Sequence, residues 1–328
     1  PDLSGGGAER VFLNLINNFN RNNFQVHVLV GKLQGNYCKE LTNDVILHEL
    51  RTTRLLKSLL PMIKIIWQIK PDIILATLGY VVTASFASFI SFKNSLIISR
   101  FGNTISSFLE EKKKQGSVNY FLQFVINKSV FYLSDLIIVQ SNHMRKDLNE
   151  CFKLREKYLQ KIVHINNPIQ FDILNKSKNS NDYKEFFNNN FVYISVGRLD
   201  YRKNYEDLIR AFQRVVKDFP NSRLMIIGEG EYRPKLEQII CELQLQNFIS
   251  LPGFISHPEK LVSRSNFYVS SSLYEGVSNS ILESLALGIP VIATNCPSGI
   301  REIITEGENG YLVSMSGNVI TNLAEKMS

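Results

Sequence analysis

The chain has little of what would staple or metallate it. Its 328 residues hold four cysteines, Cys38, Cys151, Cys241 and Cys296, with no C-x-x-C pair, and five histidines that do not cluster. This scatter argues against a zinc site and a secreted disulfide framework, and it fits a reducing compartment. Neither a G-x-G-x-x-G turn nor a G-x-x-x-x-G-K-[ST] loop is present; GEGEYR at 228–233 has the wrong order, which counts against a nicotinamide-dependent oxidoreductase. With 44% hydrophobic and 20% charged residues the composition is that of an ordinary globular protein, so disordered and collagen-like classes are excluded.

Long apolar runs are scarce. The longest uncharged one, the twenty residues IILATLGYVVTASFASFISF between Asp72 and Lys93, is diluted by Thr77, Gly79, Thr83 and three serines. It reads as a buried strand, a turn and a small-residue helix rather than a membrane span.

Charge is present but uneven. The net charge of +7 resolves into 21 basic against 12 acidic residues up to position 170, and 16 against 18 from 171 onward. The first half is therefore basic by nine and the second acidic by two. Together with Lys112, Lys113 and Lys114 near Phe108, Tyr120 and Phe121, this predicts that the first half sits on an anionic membrane surface. A solvated basic face is the plainer reading.

The length implies two domains. Helical periodicity over Glu9–Phe19, Leu55–Ile69, Val81–Phe92 and Val118–Leu133 alternates with strand-like runs at Phe24–Val30, Asp72–Leu78, Leu96–Ser99 and Asp135–Val139. The polar stretch 171–190 follows Asn167-Pro168 and reads as a linker. Beyond it VYISVG, LMIIG, FISLPG, FYVSSS and PVIATN read as strands, with helices at Glu206–Asp218, Arg233–Leu243 and between the last two strands. Strands alternating with helices imply parallel, doubly wound α/β sheets, whose ligands bind beyond the carboxyl ends of the strands. The expected division is 1–170, a linker over 171–190, and 191–328.

Three loops carry candidate chemistry. Ser4-Gly5-Gly6-Gly7 runs into a helix, where amide groups can cradle a phosphate; a flexible turn is the alternative. The turn Gly197–Asn204 follows a strand and holds Arg198, Arg202 and Lys203, cations suited to a diphosphate. In YEGVSNSILESLALGIP, residues 274–290, Ser280 and Glu283 have capping-box spacing, so local physics alone explains Glu283 as a helix-start residue.

In order along the chain, SGGGAERV, NNPI, VGRLDYRKNYEDLIRAF, LMIIGEGEYRPKLE, LPGF, SSSLYEGVSNSILESLALGIPVIATNCPSGIREII and NGYLV together resemble the retaining glycosyltransferases of family 4. The resemblance covers most of the second half and is sparse in the first. It implies a GT-B fold of two facing Rossmann-like domains, here without the first strand and the final C-terminal helix, since the chain opens on a loop-like PDLSGGGAER.

It also implies transfer of a hexose or N-acetylhexosamine from a nucleotide diphosphate sugar, UDP-linked, to a glycan or lipid-linked acceptor, with retention. The members it resembles build bacterial surface polysaccharides. Catalytic roles fall to Glu275, Arg198 and Lys203. Glu275 faces the donor sugar and the two cations the diphosphate. Glu283 would hold the ribose, Gly276, Val277, Ser278 and Asn279 would present amides to the diphosphate, and Gly253-Phe254 would contact the base. Gly5, Gly6 and Gly7 match a glycine-rich loop near donor and acceptor, and Arg100 falls where relatives carry a polar or basic active-site residue. No metal, cofactor or nucleic-acid partner is implied, because the nucleotide sugar is itself a substrate. The expected location is cytoplasmic, peripheral on the inner face of the membrane. Two rivals perform no transfer: a GT-B sugar-nucleotide epimerase, which shares the architecture, and, from another class, a non-catalytic two-lobed protein that closes on a sugar.

Overall fold

The computed structural model describes residues 6–52, 54–77, 80–91, 95–169 and 182–328. The chain divides into two compact units, Pro1–Pro168 and Ile169–Ser328.

In the first unit the helix Gly7–Asn18 starts where the Glu9 carboxylate accepts the Gly6 N–H at 2.7 Å. Strand β1 (His27–Val30) follows and pairs in parallel with β2 (Ile46–Glu49). Strands β3 (Ile73–Thr77), β4 (Leu96–Arg100), β5 (Leu136–Val139) and β6 (Ile162–His164) form a separate parallel sheet in that order. The single sheet expected for this half is thus two sheets among the described residues, because the β1 ladder is matched by β2 alone. Leu50, just past β2, nevertheless shares a core with Met62, Ile66, Phe131 and Ile137.

The uncharged run after Asp72 splits into β3 and the helix Tyr80–Ile90. Among the described residues no helix is long and apolar enough to cross a membrane.

Two helices, Ile105–Lys114 and Asn142–Phe152, were not expected from the sequence. The second is capped locally, Ser141 Oγ accepting the Met144 N–H at 3.1 Å. The first is capped from afar: Asp147 accepts the N–H groups of Ile105 at 2.6 Å and Ser106 at 3.2 Å. Periodicity within either helix carries no trace of that partner.

The second unit is one six-stranded parallel sheet. Its strands are β7 (Phe191–Val196), β8 (Ser222–Ile227), β9 (Ile249–Gly253), β10 (Phe267–Ser270), β11 (Val291–Thr294) and β12 (Gly310–Val313), and the spatial order is β12-β11-β10-β7-β8-β9. The chain winds outward from β7 through β8 to β9, then returns to lay β10 on the other side of β7. A doubly wound sheet has its ligand crevice at this reversal, outside the carboxyl ends of β7 and β10. The helix Tyr205–Asp218 buries Leu208, Ile209, Phe212 and Val215 on one face, and its neighbour Val319–Met327 buries Leu323 and Met327 in the same core.

Residues 171–181 of the expected linker lie outside the described residues, and 182–190 belong to the second unit. They form the short helix Lys184–Phe187, with Phe186 and Phe187 packed on the core under β7. Those two aromatics were hidden in an Asn-rich context whose polarity suggested a loop.

Candidate functional site

The loop after β7 is shaped by its own side chains. Asp200 caps the turn Tyr201–Lys203, accepting the Arg202 N–H at 3.1 Å, and pairs with the Arg202 guanidinium at 2.6 Å. Burial would lower Arg202, but Asp200 outweighs it and holds the guanidinium above its ordinary value. Arg198 differs: it is exposed, and among the described residues its guanidinium has no ion pair or hydrogen bond. Of the three cations the sequence brought to this loop, one is neutralised by its neighbour and one is open to a ligand.

The third, Lys203, reaches across the crevice. Its stem lies against Gly197, where a Cβ would meet Lys203 Cε at 2.9 Å, and its ammonium donates to Oε1 of Glu275 on the loop after β10. Burial favours the neutral amine, yet Glu275 beside it reverses the balance and raises the Lys203 pKa. The same Glu275 oxygen accepts Ser272 Oγ at 2.9 Å.

Backbone bonds lace the two loops together. Leu273 N–H donates to the Arg202 carbonyl at 2.8 Å and Ser271 Oγ to the Lys203 carbonyl at 2.7 Å. From behind, Thr294 Oγ1 donates to the Ser272 carbonyl at 2.6 Å, while Glu275 N–H donates to Pro297 and Gly299 N–H to Gly276. Ser271 and Ser272 escaped the sequence reading as site residues; the serine run at the end of a strand was the available signal.

The helix after this loop spans Asn279–Ala286, with Ser278 at its N-cap and no side chain capping it. A helix start without a side-chain cap at the carboxyl end of the sheet is a setting suited to an anion. The expected capping box is absent. Ser280 lies inside the helix with its hydroxyl accepting Tyr268 OH at 2.7 Å, so Glu283 has no N-cap serine to complete. Glu275 and Glu283 stand half-buried in the loop and the second helical turn. Gly276 and Ser278 are buried, Val277 and Asn279 partly so.

On the other flank Gly253 closes β9, followed by half-buried Phe254. The Gly253 carbonyl accepts the Gly228 N–H at 2.9 Å. Gly228 and Gly230 allow the turn after β8 to pass directly under the β7 loop: a Cβ on Gly230 would lie 2.2 Å from the Leu199 carbonyl oxygen, and one on Gly228 1.9 Å from that of Gly197. The glycines of GEGEYR therefore support the Arg198 loop instead of gripping a dinucleotide.

The first-unit candidates are placed separately. Gly5 lies outside the described residues; Gly6 caps and Gly7 begins the first helix. Arg100 ends β4 at 5% exposure, donating to Asn167 Oδ1 at 2.7 Å and Thr77 Oγ1 at 3.4 Å. Burial brings its pKa down to about 10, and no carboxylate pairs with it among the described residues. Among those residues, no group of three or more His, Cys, Asp or Glu side chains is placed to hold a metal ion.

Residues 177–328 match the family model "Glycosyl transferases group 1" and residues 5–172 match "Glycosyltransferase Family 4". The chain belongs to glycosyltransferase family 4. Among curated proteins it is similar to the glycosyltransferase MJ1059 of Methanocaldococcus jannaschii, 31% identical over 76% of this chain and 62% of that protein. It is also similar to an N-acetylgalactosamine-N,N'-diacetylbacillosaminyl-diphospho-undecaprenol 4-alpha-N-acetylgalactosaminyltransferase of Campylobacter jejuni, 34% identical over 58% of this chain and 51% of the relative. The chain thus spans between half and two thirds of the length of these relatives. A capsular polysaccharide biosynthesis glycosyltransferase, CapM of Staphylococcus aureus, is 27% identical over 89% of the chain and 77% of that protein. Anabaena HepE, solved in complex with UDP-glucose, superposes with a TM-score of 0.79 at 19% identity over 98% of this chain and 91% of HepE. The fold of this family 4 member is GT-B, built from two parallel-sheet Rossmann-like domains.

Proposed function

We propose that this family 4 glycosyltransferase moves a hexose or N-acetylhexosamine from a UDP-sugar to a glycan or lipid-linked acceptor, with retention at the anomeric carbon. The observation that carries the reading is the Lys203–Glu275 pair at the sheet reversal, beside an open Arg198 and an uncapped helix N-terminus. An ammonium has three N–H donors, so Lys203 can hold Glu275 with one and offer the others to diphosphate oxygens. As the sugar–phosphate bond breaks, negative charge grows on the diphosphate, where Arg198, Lys203 and the helix amides stabilise it without calling on a metal. Glu275, tied to the same lysine, faces the sugar, and Glu283 takes the vicinal ribose hydroxyls as a charged double acceptor. Gly276 to Asn279 line the diphosphate and Gly253-Phe254 the base; Gly6, Gly7 and Arg100 serve the acceptor side.

The names of relatives support the same substrates. HepE was crystallised with UDP-glucose, and the Campylobacter relative is named for a diphospho-undecaprenol acceptor. The test is turnover of UDP- and GDP-linked hexoses and N-acetylhexosamines with lipid-linked acceptors, in chelator and without, followed by NMR of the product anomer. Acceptor-dependent transfer from a UDP-sugar with unchanged anomeric configuration is expected. Acceptor-independent conversion of the donor would identify an epimerase, and binding without turnover a sugar-binding protein.

A further inference from the structure

Two buried polar side chains at the carboxyl edge of the first unit's four-stranded sheet are left short of partners. Arg100 closes β4 at 5% exposure, and of its guanidinium N–H groups one reaches Asn167 Oδ1 and one Thr77 Oγ1. Both acceptors are neutral, and no carboxylate pairs with the charge among the described residues. A cation taken out of water in this way is costly unless an anion answers it. Gln140, the residue after β5, is 2% exposed, and neither its Nε2 nor its Oε1 has a hydrogen-bond partner. A buried amide left unsatisfied at both ends costs stability that an apolar side chain of the same shape would not.

The strand ladder brings the two together. β4 and β5 are parallel neighbours, with Arg100 opposite Ile138. Gln140 lies two residues beyond Ile138, so it shares Arg100's face of the sheet and stands nearer the edge, their Cα atoms about 8 Å apart. Thr77, opposite Arg100 on β3, is on that face as well. Space remains beside the guanidinium: at Gly102 a Cβ would meet nothing nearer than Arg100 Nη1 at 4.0 Å. The helix Asn142–Phe152 starts directly after Ser141, so its positive end lies at the same edge.

The unmet groups define the ligand. The guanidinium and the Gln140 NH2 call for anionic oxygen, while Gln140 Oε1 calls for a donor. A neutral sugar leaves the cation unanswered, and an anion without a neighbouring hydroxyl leaves Oε1 unpaired. A glycosyl phosphate carries both, a phosphoryl group beside a hydroxyl on the adjoining ring carbon. The donor diphosphate is assigned Arg198 and Lys203 in the second unit, which leaves this edge for a second anion.

We propose that Arg100 and Gln140 form a glycosyl-phosphate site, so that the acceptor is a sugar joined to phosphate. Arg100 and the Gln140 NH2 hold the phosphoryl oxygens, and Gln140 Oε1 takes the neighbouring hydroxyl. Assigning this ligand to the acceptor rests on the transfer reading above; the binding itself does not.

The test is titration of the whole chain, with and without saturating UDP, using glucose 1-phosphate, inorganic phosphate and glucose as probes. Phosphorus NMR follows the first two and saturation-transfer NMR the third, and UDP binding is measured in the same samples. The panel comprises wild type, Gln140→Met and Arg100→Lys, which keeps the charge and loses the forked donor geometry. Thermal unfolding of each accompanies the titrations. Wild type should bind glucose 1-phosphate in the presence of UDP, at least about tenfold more tightly than either other probe, and each variant should lose about tenfold of that affinity. Gln140→Met should unfold no earlier than wild type, because it removes two unsatisfied atoms from the interior. Glucose 1-phosphate retained by a chain that fails to bind UDP would support this site while removing the donor reading. Absence of binding, displacement of the probe by UDP, or equal affinity in wild type and Gln140→Met would overturn the proposal.

Discussion

Lys203 and Glu275 are 72 residues apart in sequence and joined by a hydrogen-bonded ion pair whose side chains are 17% and 18% exposed. The pair bridges the two loops at the sheet reversal, so its members serve the scaffold and the ligand together. Arg198 on the same loop serves the ligand alone, which separates the two cations experimentally.

Arg198→Ala and Lys203→Ala should both lower UDP affinity by about 1–3 kcal/mol. Only Lys203→Ala should also lower the unfolding midpoint, since it leaves a half-buried Glu275 without its cation, a loss of about 1–3 kcal/mol. Isothermal titration with UDP and thermal unfolding of both variants check the contrast. Unchanged UDP affinity in both would move the diphosphate site elsewhere.

The two glutamates should separate by step. Glu283→Gln replaces a charged double acceptor by an amide and should weaken UDP binding by about 1–3 kcal/mol. Glu275→Gln should lower the single-turnover transfer rate with little change in UDP affinity. Wild-type affinity in the first and wild-type rate in the second would remove both assignments.

Gly230→Ala should be disruptive out of proportion to one methyl group. Its Cβ would press on the Leu199 carbonyl at 2.2 Å, and displacing that loop should cost about 1–3 kcal/mol of stability and reduce UDP affinity with it. Gly102→Ala, whose Cβ would find its nearest heavy atom at 4.0 Å, is the control and should be close to neutral. Equal effects of the two in thermal unfolding would contradict the packing described.

Acidification should destabilise the first unit through a histidine pair. His27 Nδ1 and His48 Nε2 lie 2.9 Å apart with the rings stacked, and burial, then the nearby His27, hold the His48 pKa below its ordinary 6.5. The folded state therefore binds a proton less readily than the unfolded chain. The stability involved is present above the unfolded pKa and is lost as pH falls through the folded one. Unfolding midpoints taken from about pH 7.5 to about pH 5 should decline in wild type and flatten in His48→Gln. Parallel curves would exclude the pair as the cause.

Much of the second unit was legible because each element carries its own signal. The run FVYISV is apolar enough for a central strand, and Leu208, Ile209, Phe212 and Val215 repeat at helical spacing. What stayed hidden depends on partners remote in sequence. The helix Ile105–Lys114 takes its cap from Asp147, and Phe186 and Phe187 acquire meaning only against β7. The misread capping box has the same origin. Ser280 has suitable spacing to Glu283, but Tyr268, twelve residues earlier on β10, engages its hydroxyl and the helix begins before it. At the candidate site the residue types were legible, and their pairing was not: nothing local indicates that Arg202 closes on Asp200 while Lys203 crosses to Glu275.

The loop from Gly197 to Lys203 has its main chain held on both flanks. Leu199 exchanges hydrogen bonds with Glu229 and Tyr232 on one side, and the carbonyls of Arg202 and Lys203 are engaged by Leu273 and Ser271 on the other. Its conformational freedom is therefore lost during folding and not when a nucleotide arrives. UDP association at this edge should then show the small heat-capacity change of a preformed polar surface losing water, without the large negative one that accompanies a segment folding around its ligand.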